Sequence, residues 1–242
     1  MTAECWVRFV EPFVEWAGCL SFAQDDGATE YGVFLSQRAA TAQGAQLSFA
    51  LSTAGGGDHS MTYLHGAESQ VVANEWIHWA GTYDGTTMSL YINGKHTLPS
   101  ALPIVLRPHL QTDRLRPRPG AMVMSDSTSQ SGAINYPDAG YAATAGGWFT
   151  IGAYHDANEY YPLNGQLDDV RLWNVARSAS EIQSAYCAGA KPHGTGLIGL
   201  WKFQEKSGDR ISNTVKHGPA GVMMGDVFRV NNNVAQNCQG GH

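Results

Sequence analysis

The stretch NEWIHWAGTYDGTTMSLYINGK, residues 74 to 95, constrains the fold more than any other part of the chain. Trp76, His78, Ala80 and Thr82 alternate with Ile77, Trp79, Gly81 and Tyr83. Successive strand residues point to opposite faces, so each set occupies one face of a sheet. Both sets are largely apolar, the pattern of an inner strand covered on both sides. Asp84-Gly85-Thr86 then turns the chain, since glycine reaches positive φ at little cost and an Asp side chain accepts hydrogen bonds from its own turn. Met88, Leu90 and Ile92 share a face of the return strand, and Asn93-Gly94 ends it. A hairpin with two apolar faces needs a second layer to bury them.

The composition suits many short strands joined by tight turns: 28 glycines, 10% aromatic residues and only 15% charged ones in 242 residues. Residues 3–10 and 17–24 are read as a hairpin around Glu11-Pro12, with Ala3, Cys5, Val7 and Phe9 on one face. Further strands are expected at 31–36, 46–51, 60–64, 148–153, 197–203 and 222–230. One short helix is expected near 179–187. It opens on a capping box, Ser178-Ala179-Ser180-Glu181, and buries Ile182, Ala185 and Tyr186. The whole, 1–242, is expected to be a single all-β domain. Residues 98–147 hold six of the ten prolines and four of the ten arginines, and Ser125 to Ser131 is a run of small polar residues without a period. This segment reads as a long inserted loop, dispensable for folding, that is a functional loop, an assembly arm making contacts between copies, or disordered. The Asn-rich tail from 231 reads as flexible.

Charge and hydropathy exclude two partner classes. With 15 basic against 21 acidic residues the net charge is −6, whereas binding to a phosphate backbone needs clustered Lys and Arg, so nucleic acid is set aside. No apolar run approaches the roughly 18 to 20 residues that span a bilayer as a helix, and no leader pattern opens the sequence. The four cysteines, Cys5, Cys19, Cys187 and Cys238, lack C-x-x-C spacing. Their even number fits two disulfides, Cys5 with Cys19 and Cys187 with Cys238, the alternative being buried free thiols. Pairing would place the protein in an extracellular or cell-surface setting.

Three spaced blocks and the opening strand carry a family resemblance. Residues 76–95 resemble the W-x-H-x-A-x-T-Y-D-G…L-Y-x-N-G-K pattern of laminin-G-like and pentraxin-like domains. LNGQLDDVRLWNVARSASEI, residues 163–182, is similar to that family's late strand and short helix, GLIGLWKFQE (196–205) to the strand that follows, and ECWVRF to its E-A-W-V-R strand. The resemblance implies a concanavalin A-like jelly roll, a two-sheet antiparallel sandwich. It covers most of the chain outside 98–147.

Several enzymes share that sandwich, so catalysis has to be tested on the residues. Retaining glycosidases need two carboxylates about 5 to 5.5 Å apart, and no Glu here is followed two positions later by an acid. Asp168-Asp169 are adjacent and are expected on opposite faces. Nucleophile-elbow and zinc motifs are missing. Gly194 to Gly199 satisfies G-x-G-x-x-G but opens a strand instead of a helix, so it lacks the helix N-terminus that holds a pyrophosphate. His78, between tryptophans, reads as a hydrogen-bonded structural histidine.

Calcium is the candidate cofactor, because it takes six to eight oxygens and acidic turns supply them. One set is Asp25, Asp26 and Glu30. The other is Asp156, Asn158, Glu159 and Asn164, in a loop that the resemblance places at the calcium loop of pentraxin-like relatives; where those carry a glutamate this chain has Tyr154. The same loop offers Tyr154, His155, Tyr160 and Tyr161, aromatic faces beside polar groups that suit sugar C–H faces and hydroxyls. The expected function is therefore a non-catalytic extracellular recognition or adhesion module, binding glycan or a protein partner through edge loops. The alternatives are a structural subunit of an extracellular assembly or filament, and a polysaccharide hydrolase or lyase.

Overall fold

The computed structural model describes residues 1–25, 30–41, 44–53, 61–66, 71–93, 123–129, 132, 134, 149–156, 159–186 and 194–230. Strand β1 (Thr2–Phe9) starts the first sheet, and β2 (Gly18–Asp25), β3 (Glu30–Thr41), β4 (Gly44–Leu51) and β5 (Thr62–His65) build the second. The chain returns to the first sheet with β6 (Trp76–Tyr83), β7 (Thr87–Asn93) and β8 (Val123–Ser129), then adds β9 (Thr150–Ile151) to the second. A small hairpin, β10 (Ala153–His155) and β11 (Tyr160–Pro162), precedes β12 (Gly165–Trp173), helix α1 (Ala179–Tyr186) and β13 (Leu197–Trp201). A short ribbon, β14 (Arg210–Ile211) and β15 (Gly221–Val222), follows. The first sheet has the order β13-β12-β1-β6-β7-β8 and the second β5-β4-β3-β2-β9. Their neighbours pair antiparallel throughout.

The core lies between the sheets and is the alternation read from the sequence. Cys5, Val7, Phe9, Ile77, Trp79, Met88 and Leu90 come from the first sheet, and Leu20, Leu35, Leu47, Phe49 and Leu51 from the second. At Gly81 a side chain would collide with the Phe49 ring of the opposite sheet, so glycine sets how closely the layers approach. The β6–β7 turn is tied as expected: Asp84 Oδ1 accepts from Thr86 N, Thr86 Oγ1 and Thr87 N, each at 2.8 Å.

Several expectations are corrected. β1 and β2 are not a hairpin. β1 pairs with β12 and β6, while β2 pairs with β3 and β9, so residues 10–17 carry the chain across from one sheet to the other. Their inward residues face one another across the core instead of sharing a ladder. Within 98–147, residues Val123–Ser129 are not loop but the edge strand β8. An edge strand is held by backbone bonds on one side, so it needs no apolar alternation, and none is visible in VMSDSTS. Asp168 and Asp169 do not take opposite faces. Residues 169 and 170 together oppose Cys5 at a β-bulge between Glu4 and Trp6, with Asp169 at φ 50°; the bulge resets the alternation and leaves Asp169 beside Arg171 on the outer face. Cys5 and Cys19 are fully buried free thiols, not a cystine. Burial, with the Cys5 thiol beside it, pushes the Cys19 thiol well above the ordinary thiol range. Cys187, Cys238 and the tail from 231 lie outside the described residues.

Helix α1 starts on the expected box, with Ser178 N donating to Glu181 Oε2 at 2.8 Å and Glu181 N to Ser178 Oγ at 3.3 Å. Its Ile182 is fully buried against Ala80 and Tyr91, on the outer face of the first sheet.

Candidate functional site

The hairpin β10–β11 docks at the edge of the second sheet because β2 begins with glycine. A Cβ at Gly18 would lie 2.6 Å from the backbone at Ala153 and Tyr154. The register pairs Tyr154 with Tyr161 and His155 with Tyr160, so the four aromatic residues read together from the sequence divide between two faces. Tyr154 and Tyr161 lie tilted against each other, centroids 6.0 Å apart, and turn inward, and Tyr154 is only 5% exposed. His155 meets Tyr160 edge-on at 5.3 Å, and Tyr160 is 57% exposed. The acids of the hairpin tie it together. Tyr154 donates its hydroxyl to Asp156 Oδ2 at 2.7 Å, Glu159 N donates to Asp156 Oδ1 at 2.7 Å, and the Tyr161 hydroxyl donates to Glu159 Oε1 at 3.0 Å.

Inward, the hairpin joins an aromatic row that the sequence reading missed. On the outer face of the second sheet Tyr63 stands opposite Ala50, Ala50 opposite Phe34, and Phe34 opposite Ser21. The small residues between let the rings meet. Phe34 lies 5.8 Å from Tyr63 and 5.6 Å from Tyr154, in both cases edge to face. Tyr63 also stacks on His65 at 5.8 Å and meets Trp16 at 5.9 Å. Ser48 Oγ lies 2.7 Å from His65 Nδ1 and orients the imidazole. Phe34 is buried, whereas Trp16, Tyr63, His65 and Tyr161 are half-buried. The alternation of Met61, Tyr63 and His65 was a visible signal; their neighbours across the sheet were not.

The expected calcium donors do not come together among the described residues. Asp156 is buried, and each of its oxygens accepts a hydrogen bond within the hairpin. Asn164 turns away and donates to the Pro12 carbonyl at 3.2 Å. No group of three or more His, Cys, Asp or Glu among the described residues has the arrangement of a metal site. Asp26 and Asn158 lie outside the described residues, and Asp25 and Glu30 are described only as backbone in β2 and β3.

Two buried acids of the first sheet, Glu4 and Asp169, are held by basic partners. Glu4, fully buried on the outer face, accepts from Trp173 Nε1 at 2.7 Å and Arg177 Nη1 at 3.1 Å, with His78 Nε2 at 3.2 Å and Arg171 Nη1 at 3.6 Å. Asp169 is paired with Arg171 through both of its oxygens. Burial pushes the Glu4 carboxyl up, but Arg171, His78 and Arg177 outweigh it and hold the group at about 2. Held that low, the buried Glu4 carboxyl is ionised at neutral pH. A cleft of about 680 Å³ opens at the far end of the sandwich, but its described lining, including Leu20, Phe22, Ile134, Phe149 and Ile198, is mainly apolar.

Two stacked antiparallel sheets with this strand pairing and a helix after β12 set the fold. The fold is concanavalin A-like. Residues 1–114 match a laminin-G family model described as concanavalin A-like lectin/glucanases superfamily. The chain is similar in structure to a Bacteroides ovatus protein described as a candidate carbohydrate binding protein, with a TM-score of 0.56 and 16% sequence identity. The match covers 92% of this chain and 53% of the other, so the chain spans about half the length of that neighbour. At this identity the likeness is one of fold. No curated protein matches the sequence.

Proposed function

We propose that this chain is a non-catalytic carbohydrate-recognition module, working in an extracellular or cell-surface setting, whose ligand sits on the hairpin 153–162. The observation that carries the reading is the hairpin itself. It presents Tyr160 to solvent with half-buried His155 edge-on against it and keeps Tyr161 half-buried beside a carboxylate, and its hydroxyl-to-acid bonds hold that arrangement before any ligand arrives. Flat rings next to fixed oxygens match a sugar's C–H face and hydroxyls, and preorganisation lowers the cost of binding. The concanavalin A-like fold and the description of the Bacteroides ovatus neighbour support the same reading. A glycan array with and without EDTA tests it. Binding should survive EDTA, because the hairpin's own bonds order it, and Tyr160→Ala should weaken binding about tenfold. Release of shortened oligosaccharide from a bound glycan would instead make the protein an enzyme.

A second reading, contact with a protein partner or another copy, is favoured by an exposed apolar run. Val222, Met224, Val227 and Phe228 are 57% to 80% exposed, and a side chain at Gly225 would meet only the Tyr160 hydroxyl, at 4.0 Å. Particle size in solution separates the two: a monomer that binds glycan supports the first.

A further inference from the structure

We infer that two copies of this chain associate through the ribbon of β14 and β15, pairing their β15 strands antiparallel across a two-fold axis and burying Val222, Met224, Val227 and Phe228 between them. This goes beyond the carbohydrate-binding reading and does not depend on it. The first ground is an apolar ribbon covered on one face only. Ile211 and Met223 pack into the core between the sheets. Val222 and Met224, the chain neighbours of Met223, point the other way and are 64% and 67% exposed. A strand apolar on both faces has the pattern of an inner strand, yet the outer face of this one stands in water. The run continues through Val227, Phe228 and Val230, at 57%, 80% and 44% exposure. Its backbone is held in place. Met223 N donates to the Asp209 carbonyl at 2.7 Å, and the Arg229 guanidinium donates to the carbonyl of Gly208 and, at 3.1 Å, to that of Arg210. A patch fixed before contact loses little order on docking.

The second ground is an open edge. Among the described residues β15 pairs with β14 alone. Successive N–H groups of a strand alternate between its two sides. Since that of Met223 is turned to β14, those of Val222 and Met224 point to the open side. Such an edge is a template for another strand. Laid antiparallel against its own copy, it meets complementary donors and acceptors, an isologous contact that closes on two chains. The third ground is area. At about 150 to 250 Å² for each full side chain, the five exposed residues leave on the order of 600 Å² in water, as much as one patch on a monomer ordinarily reaches. Two such patches face to face bury about 1,200 Å², where specific and stable interfaces begin. Charge favours a second copy over a lipid surface. Exposed Arg210, opposite Val222, and exposed Asp226 give the patch a base and an acid that self-pairing can set against each other, whereas an anionic membrane selects for bases alone.

Sedimentation velocity on the intact chain from nanomolar to micromolar concentration tests this, with amide hydrogen exchange on the same samples. The wild type should sediment near twice its 26.1 kDa at micromolar concentration. The Val222 and Met224 amides should be protected there and exchange freely on dilution. Met224→Lys combined with Phe228→Ser should weaken the dimer about a hundredfold and remove that protection, with circular dichroism unchanged because both side chains lie in solvent in the single chain. Should the pair disturb the fold, Val222→Lys takes its place. Val72→Lys, which alters an exposed valine outside the ribbon, should leave the dimer intact. A monomer at every concentration overturns the inference. So does a dimer whose Val222 and Met224 amides exchange freely, or one that survives Met224→Lys with Phe228→Ser. A monomer that floats with phosphatidylcholine vesicles assigns the ribbon to a lipid surface and overturns it too. The glycan array judges the hairpin reading separately, since none of these substitutions lies in 153–162.

Discussion

At Glu4 two opposing effects meet in one carboxylate. Burial alone would favour the neutral acid, yet Arg171, His78 and Arg177 hold it at about 2, below the usual glutamate value of 4.5. The native state therefore refuses a proton that the unfolded chain accepts, so this contribution to stability is present above 4.5 and is lost as pH falls toward 2. His78 adds a slope of the same sign. Burial, only partly opposed by Glu4, lowers its value below 6.5, so the unfolded chain takes up that proton first and stability declines as pH drops below 6.5. Thermal melts should be flat above neutrality, soften below pH 6.5 and steepen below 4.5. Glu4→Gln should start about 3 kcal/mol less stable, because it leaves the buried Arg171 with one carboxylate partner, Asp169, in place of two, and should lose most of the steep acid limb. An unchanged limb in that variant would assign it to other carboxylates. His78 was legible from sequence as a structural histidine. Its partner was not, since Glu4 lies on a different strand, and the place of Asp169 depends on a bulge that no alternation rule foresees.

The hairpin and the strand beneath it form one mechanical element. Gly18→Ala should force β10 off β2, lowering stability and glycan affinity together although residue 18 touches no ligand in this reading. Retained affinity would show that the site does not depend on how the hairpin is seated. Tyr154→Phe is the complementary change. It removes the donor to a buried Asp156 oxygen, and leaving such an acceptor short costs about 1 to 3 kcal/mol, measurable by chemical denaturation. Period-two patterns made the strands legible, and local chemistry made the turn at Asp84 and the box at Ser178 legible. A period of two carried through 154–161 would group Tyr154 with Tyr160 and His155 with Tyr161; the observed grouping comes from the turn, whose register sets Tyr154 opposite Tyr161 and His155 opposite Tyr160. The aromatic row was out of reach for another reason: Phe34 and Tyr63 become neighbours only through the register of three strands, which one strand's sequence does not encode.

For the whole molecule, the decisive contacts are those between layers and along the open edges. Cys5 and Cys19 sit on facing sheets at 0% exposure, so alkylation should fail on the native protein and reach both thiols only after global opening; rapid native labelling would show a looser sandwich. The edge at β8 makes a stronger demand. Residues 98–147 look dispensable from composition, yet Val123–Ser129 pair with β7 from Thr87↔Ser129 to Ile92↔Val123, and they shield the backbone of a strand whose Met88 and Leu90 are fully buried. Replacing all of 98–147 by a short Gly-Ser linker would leave that edge unpaired, a template for another chain. The expected outcome is a lower melting temperature with concentration-dependent aggregation, followed by light scattering. A matched variant that keeps 123–129 and replaces only 98–118 should melt cooperatively and stay monodisperse if β8 is what the segment contributes to the fold. Equal behaviour of the two variants would mean that β7 is protected by something other than this strand.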